Sequence, residues 1–195
     1  AGLNRLAVGS LARVASSVTP EVEFESRIDR ELGRFGTTVP RELVGAALLA
    51  IAAAVVQADP SDAVIESARH DQLNAIRGEL RSSWRAAEAR ARRLAFPYPH
   101  YMSTWRHGDL RLVTGAPTDQ VRAAIRTRWT PATCALVVVG DVDAEELDGL
   151  VRPLFERFAP RPADAIPTPT ASRHAGPQVL ALHDGSEASN LLFVE

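Results

Sequence analysis

Apolar residues at Leu3, Leu6, Leu11 and Val14 recur at near-helical spacing and predict an amphipathic helix over residues 2–16. Thr19-Pro20-Glu21 then restarts the chain with a capping hydroxyl, a proline suited to a first helical position and an acid in the first turn. A second helix is expected there, with Phe24, Ile28 and Leu32 on its buried side and Gly33 or Gly36 as its stop. Pro40 opens a third helix, apolar nearly all round through Ala58 and therefore expected to be enclosed. Asp59-Pro60 begins a long fourth helix. Ile65, Leu73, Ile76, Leu80 and Trp84 keep to one side of it, and Arg and Glu to the other.

The period is lost between residues 96 and 116, where Pro, Gly, His and Tyr predict a long connection. Thr118-Asp119 caps a short helix with Val121, Ala124, Ile125 and Trp129 on its apolar side. The continuous apolar run from Cys134 to Val139 predicts a strand covered on both faces. Leu136 and Val138 are expected to be buried against the next helix, 144–158, whose inward face would be Leu147, Leu150, Val151, Leu154 and Phe155. Prolines at 160, 162, 167, 169 and 177 mark a linker over residues 159–177. Gln178–Leu182 and Asn190–Val194 are candidate strands. Both chain ends fall inside element-like runs, so the sequence is expected to be a piece of something longer.

Composition narrows the function classes. The formal net charge is -2, which gives no field for nucleic acid or anionic lipid. The single cysteine, Cys134, excludes an internal disulfide framework and a cysteine-rich metal site, and reads as a small buried hydrophobe. The apolar stretch Leu43–Val56 is too short to span a bilayer, and no secretory leader is visible, so a cytoplasmic setting is expected. All 22 basic residues are arginine, which fits coding bias and carries no functional inference. Glu21, Glu23 and Glu25 are read as acids favoured by a helix dipole.

Trp129-Thr130-Pro131, the run Leu136-Val137-Val138-Val139-Gly140-Asp141-Val142-Asp143, Glu145-Glu146-Leu147 and Phe155 together form a more specific pattern. An aromatic and a proline precede an apolar strand that ends in Gly-Asp and leads into an acidic helix start. This resembles the pitrilysin, insulinase and mitochondrial processing peptidase family. Phe96-Pro97-Tyr98-Pro99-His100-Tyr101 is similar to that family's Phe-x-x-His-Pro-Tyr segment, with the histidine displaced. Gly2-Leu3 matches the segment that begins Gly-Leu-Ala-His in active members. The resemblance covers residues 2 to about 158. It implies an α+β fold, a mixed sheet with helices packed mainly on one face. The domain would span 1–158, followed by the linker 159–177 and a strand pair at 178–195 that either opens a second homologous unit or completes this domain's sheet. Two strands that the family places before its first helix have no counterpart here.

The resemblance also locates the chemistry. Active members carry H-x-x-E-H on the first helix, two zinc-binding histidines around a water-activating glutamate, with a distant glutamate as third ligand. The corresponding positions here are Arg5, Val8 and Gly9, with Glu79 at the third ligand. Arginine is a fixed cation, valine accepts no proton and glycine offers no ligand atom. No histidine precedes His70, so no shift of register rescues the motif. Glu79 alone holds no metal, and a solvated helix face is its expected setting. The remaining histidines, His70, His100, His107, His174 and His183, form no helical pair. His100, Tyr101 and Trp105 are candidate peptide contacts, with ordinary surface packing as the alternative.

The expectation is therefore a non-catalytic domain or subunit without a cofactor of its own. It would pair with a homologous zinc-bearing half to enclose a peptide-binding chamber. Two alternatives stay open: a fragment of an active zinc endopeptidase whose motif lies outside this chain, and a scaffold that binds no peptide.

Overall fold

Leu6, Leu11 and Ala15 are one or two helical turns apart, and all three are buried to within 1% of full enclosure. They define the inner face of the first helix, α1 (Gly2–Val18), as the apolar spacing predicts. The computed structural model describes residues 2–28, 32–57, 59–96, 107–158 and 160. Within these, α1 is the central element: helices and strands pack around it on several sides. Ser10, fully buried on α1, donates to the Leu6 carbonyl at 2.8 Å and so costs little inside the core.

The second helix expected after Pro20 is not formed. Residues 25–28 and 33–36 instead make an antiparallel pair, β1 (Glu25–Ile28) and β2 (Gly33–Gly36), with Glu25 opposite Gly36 and Ile28 opposite Gly33. The physical reason lies just upstream, where Val22 and Phe24 are buried while Glu21, Glu23 and Glu25 are exposed. That alternation has period two, which suits extended chain rather than helix. The three acids are therefore the wet side of a turn at 20–22 and the chain that leads from it into β1, not a helix first turn. Gly33 is required where β2 crosses α1: a Cβ there would lie 2.8 Å from a Val8 methyl and 3.5 Å from the Trp129 ring. Phe35 and Trp129 complete this layer, ring centroids 5.6 Å apart.

The apolar segment after Pro40 winds through a 3-10 turn (Arg41–Leu43) into α2 (Val44–Ala52) and ends in a π turn (Ala53–Gln57). It is only partly enclosed, because Leu49 is half exposed. The long fourth helix is two helices, α3 (Asp62–Leu80) and α4 (Ser83–Ala95). Ser61 and Ser82 cap them, each accepting from a backbone N–H three residues on. The break at Ser82 leaves Leu80 and Trp84 exposed rather than on a continuous buried side. A short α5 (Leu110–Gly115) lies within the expected connection, capped by Asp109. Then comes α6 (Thr118–Arg128), with Val121, Ala124 and Ile125 buried as expected. Arg69, buried on α3, donates to the Val113 and Ala116 carbonyls and ties the end of α5 to α3.

The apolar run at 134–139 departs furthest from expectation. Ala135–Val139 makes no backbone hydrogen bond among the described residues and is not a strand there. Leu136 is 40% exposed, Val137 77% and Val139 91%, so the expected burial of Leu136 is not observed. Helix α7 (Ala144–Phe155), capped by Asp143, forms as expected, but none of its residues is fully buried. Leu147, Val151, Leu154 and Phe155 are half-buried and Leu150 is exposed. A strand with two apolar faces needs partners on both edges and cover on both sides. None of these is supplied by the described residues. The α+β expectation therefore holds in its coarse form only: the described residues are mostly helical, with one two-stranded sheet in place of the mixed sheet. Of the expected linker only residue 160 is described, and the strand pair at 178–195 lies outside the described residues.

Candidate functional site

Helix spacing determines where the positions that the resemblance sets against zinc ligands can point. Arg5 and Gly9 are one turn apart on α1 and share a face; Val8 lies to one side of it. Val8 is 2% exposed and packs under β2 at Gly33. Gly9 faces α3, where a Cβ added to it would meet the Ala68 Cβ at 3.6 Å. The middle position, where active members place the base, is thus filled by a methyl-bearing core residue.

Glu79 is buried, 6% exposed, and not on the solvated face expected of it. It sits near the end of α3, with Oε1 3.1 Å from His107 Nε2 and 4.0 Å from an Arg85 guanidinium nitrogen. A buried carboxylate is costly without such partners. Gln72, two turns earlier on α3, reinforces the same contact: its Nε2 donates to the His107 carbonyl at 2.6 Å and to the Gly2 carbonyl at 2.9 Å. Gly108 follows, with φ +94° and the start of α1 so close that a Cβ would fall 2.2 Å from the Gly2 Cα. Glu79, Gln72, His107 and Gly108 therefore fasten the chain entering α5 onto α3 and the first turn of α1. His107 is the functional-looking residue that spacing does not reveal, because it pairs with Glu79 from 28 positions away.

Among the described residues, no three His, Cys, Asp or Glu side chains converge as metal ligands. The residues at the zinc-ligand positions do not fit the ion either, since a guanidinium, a valine methyl and a bare α-carbon supply no lone pair. His100, Tyr101 and Trp105 lie outside the described residues. Cys134 is half-buried, and burial pushes its thiol above the ordinary range although Thr133 and the Thr130 backbone pull the other way. A thiol held protonated in this way is a poor nucleophile.

A second feature lies at the opposite side of α2. Arg41 bonds Glu146 at 2.9 Å and lies 3.9 Å from Asp141, joining the entry to α2 to the start of α7. Between them is an open groove of about 400 Å³ lined by Val44, Gly45, Val142, Leu147 and Leu150. It continues the exposed apolar character of the run before α7.

Residues 116–194 match the family model described as the Peptidase M16 inactive domain. This part of the chain is therefore similar to an M16 inactive domain, and the sequence carries no H-x-x-E-H motif. The M16 match begins at the entry to α6 and takes in Trp129, the Leu136–Asp143 run and α7, the residues on which the resemblance rests. No curated protein matches the chain. No single helix among its described residues is long and apolar enough to cross a membrane.

Proposed function

We propose that this non-catalytic M16 chain works as the supporting half of a peptidase, paired with a homologous half or subunit that carries the zinc. The observation that carries the reading is the set at the ligand positions of α1: Arg5, Val8 and Gly9 stand where two histidines and a glutamate would be needed. Loss of chemistry with retention of the M16 pattern leaves shape and contact as the remaining contributions. The exposed run Leu136–Val139 and the unburied apolar side of α7 support a contact role. A strand apolar on both faces is stable only when neighbouring strands and a covering layer are provided. The supporting half would contribute chamber wall and peptide contacts, and the zinc-bearing half would cleave.

The test is co-expression with a zinc-bearing M16 relative, followed by a peptidase assay of each chain alone and of the two together. Activity in the mixture beyond that of the relative alone supports the pairing. A monomer that leaves the relative's activity unchanged contradicts it. A stable obligate contact should also bury at least about 2,000 Å² in total.

A further inference from the structure

We propose that the groove between α2 and α7, with the run at 135–139 that leads into it, receives an extended basic edge strand of a partner protein. On the reading above, that partner is the zinc-bearing half. The proposal rests on that reading and deepens it by naming the surface and the chemistry of what covers it.

The run has the form of one half of a strand pair. Exposure along it alternates: Cys134 and Val138 are half-buried and Leu136 is 40% exposed, whereas Val137 is 77% and Val139 91% exposed. Period two is the mark of an extended segment that lays one face on the protein and leaves the other in water. Both ends of the run are fixed. The carbonyl of fully buried Thr130 accepts from the Thr133 and Cys134 N–H groups, each at 3.0 Å. At the far end, Arg41 reaches Glu146 at 2.9 Å and Asp141 at 3.9 Å. Between these anchors, residues 135–139 make no backbone hydrogen bond among the described residues. A segment already extended, pinned at both ends and open along its edge loses little order when another strand pairs with it.

The surroundings select the strand. Glu42, Asp143 and Glu146 line the groove, with Arg41 as the one cation among its described lining residues. Arg41 is engaged by Glu146, and Asp143 caps α7. Glu42 and, beside the groove, Glu145 have no ion pair among the described residues. A complementary strand therefore offers apolar side chains to Val44, Leu147 and Leu150 and basic ones to the acidic rim. A second copy of this chain fits poorly, because two-fold pairing would set the acidic surface against itself. A transient peptide fits poorly as well. An apolar edge left bare at each departure is an aggregation hazard, so the lasting cover of a partner protein suits it better.

The test is amide hydrogen exchange at 135–139 in the whole chain, alone and in complex with the co-expressed zinc-bearing M16 relative. Exchange there should be fast in the chain alone and about tenfold or more slower in the complex. The variant Glu42→Arg with Glu145→Gln, changed at two exposed sites, should fold normally and bind the relative about tenfold more weakly. A complex that raises activity while 135–139 exchanges as fast as in the free chain overturns this inference and leaves the supporting role standing. If no complex forms, the supporting role fails, and a peptide probe decides on the surface. An acetylated, amidated peptide alternating valine and arginine should then bind saturably and slow exchange at 135–139, and its glutamate counterpart should not. Binding of neither, or of both alike, overturns the inference. So does exchange already slow in the chain alone, which would mean cover by the chain itself or by a second copy.

Discussion

Glu79 Oε1 and His107 Nε2 lie 3.1 Å apart, with both side chains more than four-fifths buried. The pair joins the end of α3 to the segment that enters α5, and Gln72 bonds the His107 carbonyl from the same side of α3.

Removing the histidine leaves Glu79 with Arg85, 4.0 Å away, as a weaker partner. His107→Ala is therefore expected to destabilise the fold by about 1–3 kcal/mol, the usual cost of depriving a buried polar group of a partner. Urea unfolding of the single variants and of the double variant with Glu79→Gln checks this. The double variant should lose less than the two single losses added together.

Gly33→Ala tests the packing of β2 on α1. The new Cβ would sit 2.8 Å from the Val8 methyl, so one of the two must move. Overpacking of this kind costs about 1–3 kcal/mol. Gly36→Ala, with nothing within 4 Å of the added atom, is the matched control and should change stability far less. Equal midpoints for the two variants would mean that β2 does not lie where it is described.

The exposed run makes an opposite prediction. Leu136→Ala should cost about 0.5 kcal/mol or less in the isolated chain, as surface substitutions do. Ile125→Ala, at a fully buried site, should cost about 2–5 kcal/mol. Once a partner is bound, the Leu136 substitution should weaken association instead. Thermal unfolding with and without the partner separates the two effects.

Much of the helical scaffold is legible in the sequence because α1, α6 and α7 each carry an apolar stripe with the right period and, for α7, a capping Asp143 at its start. The entry to β1 is legible too, in the Glu-Val-Glu-Phe-Glu alternation at 21–25, but Thr19-Pro20 mimics a helix start and outcompetes it. The break at Ser82 is hidden because Ile76, Leu80 and Trp84 keep helical spacing across it. The burial of Leu136 does not follow from its neighbours: an apolar run says that a segment wants cover, not that the described residues provide it. For the candidate site, absence of ligands at Arg5, Val8 and Gly9 is readable position by position. The Glu79–His107 contact is not, since it depends on how the chain returns after α4.

Acid sensitivity should report the joint between α3 and α6. Arg122 bonds the Asp62 carboxylate and holds it below the ordinary carboxylate range, with Thr118 assisting. A carboxyl group whose folded value is depressed stabilises the fold above its unfolded value of about 4. That contribution is lost as pH falls through the folded value. Asp62→Asn should therefore narrow the stability difference between neutral pH and about pH 3, checked by urea midpoints at the two pH values. An unchanged difference would show that the joint does not titrate with folding.

The most direct measurement is the zinc content of the purified chain after dialysis against metal-free buffer. The residues at the ligand positions of α1 and the engagement of Glu79 by His107 predict well under one equivalent per chain. One zinc per chain, retained through dialysis and released only by a strong chelator, would contradict the account.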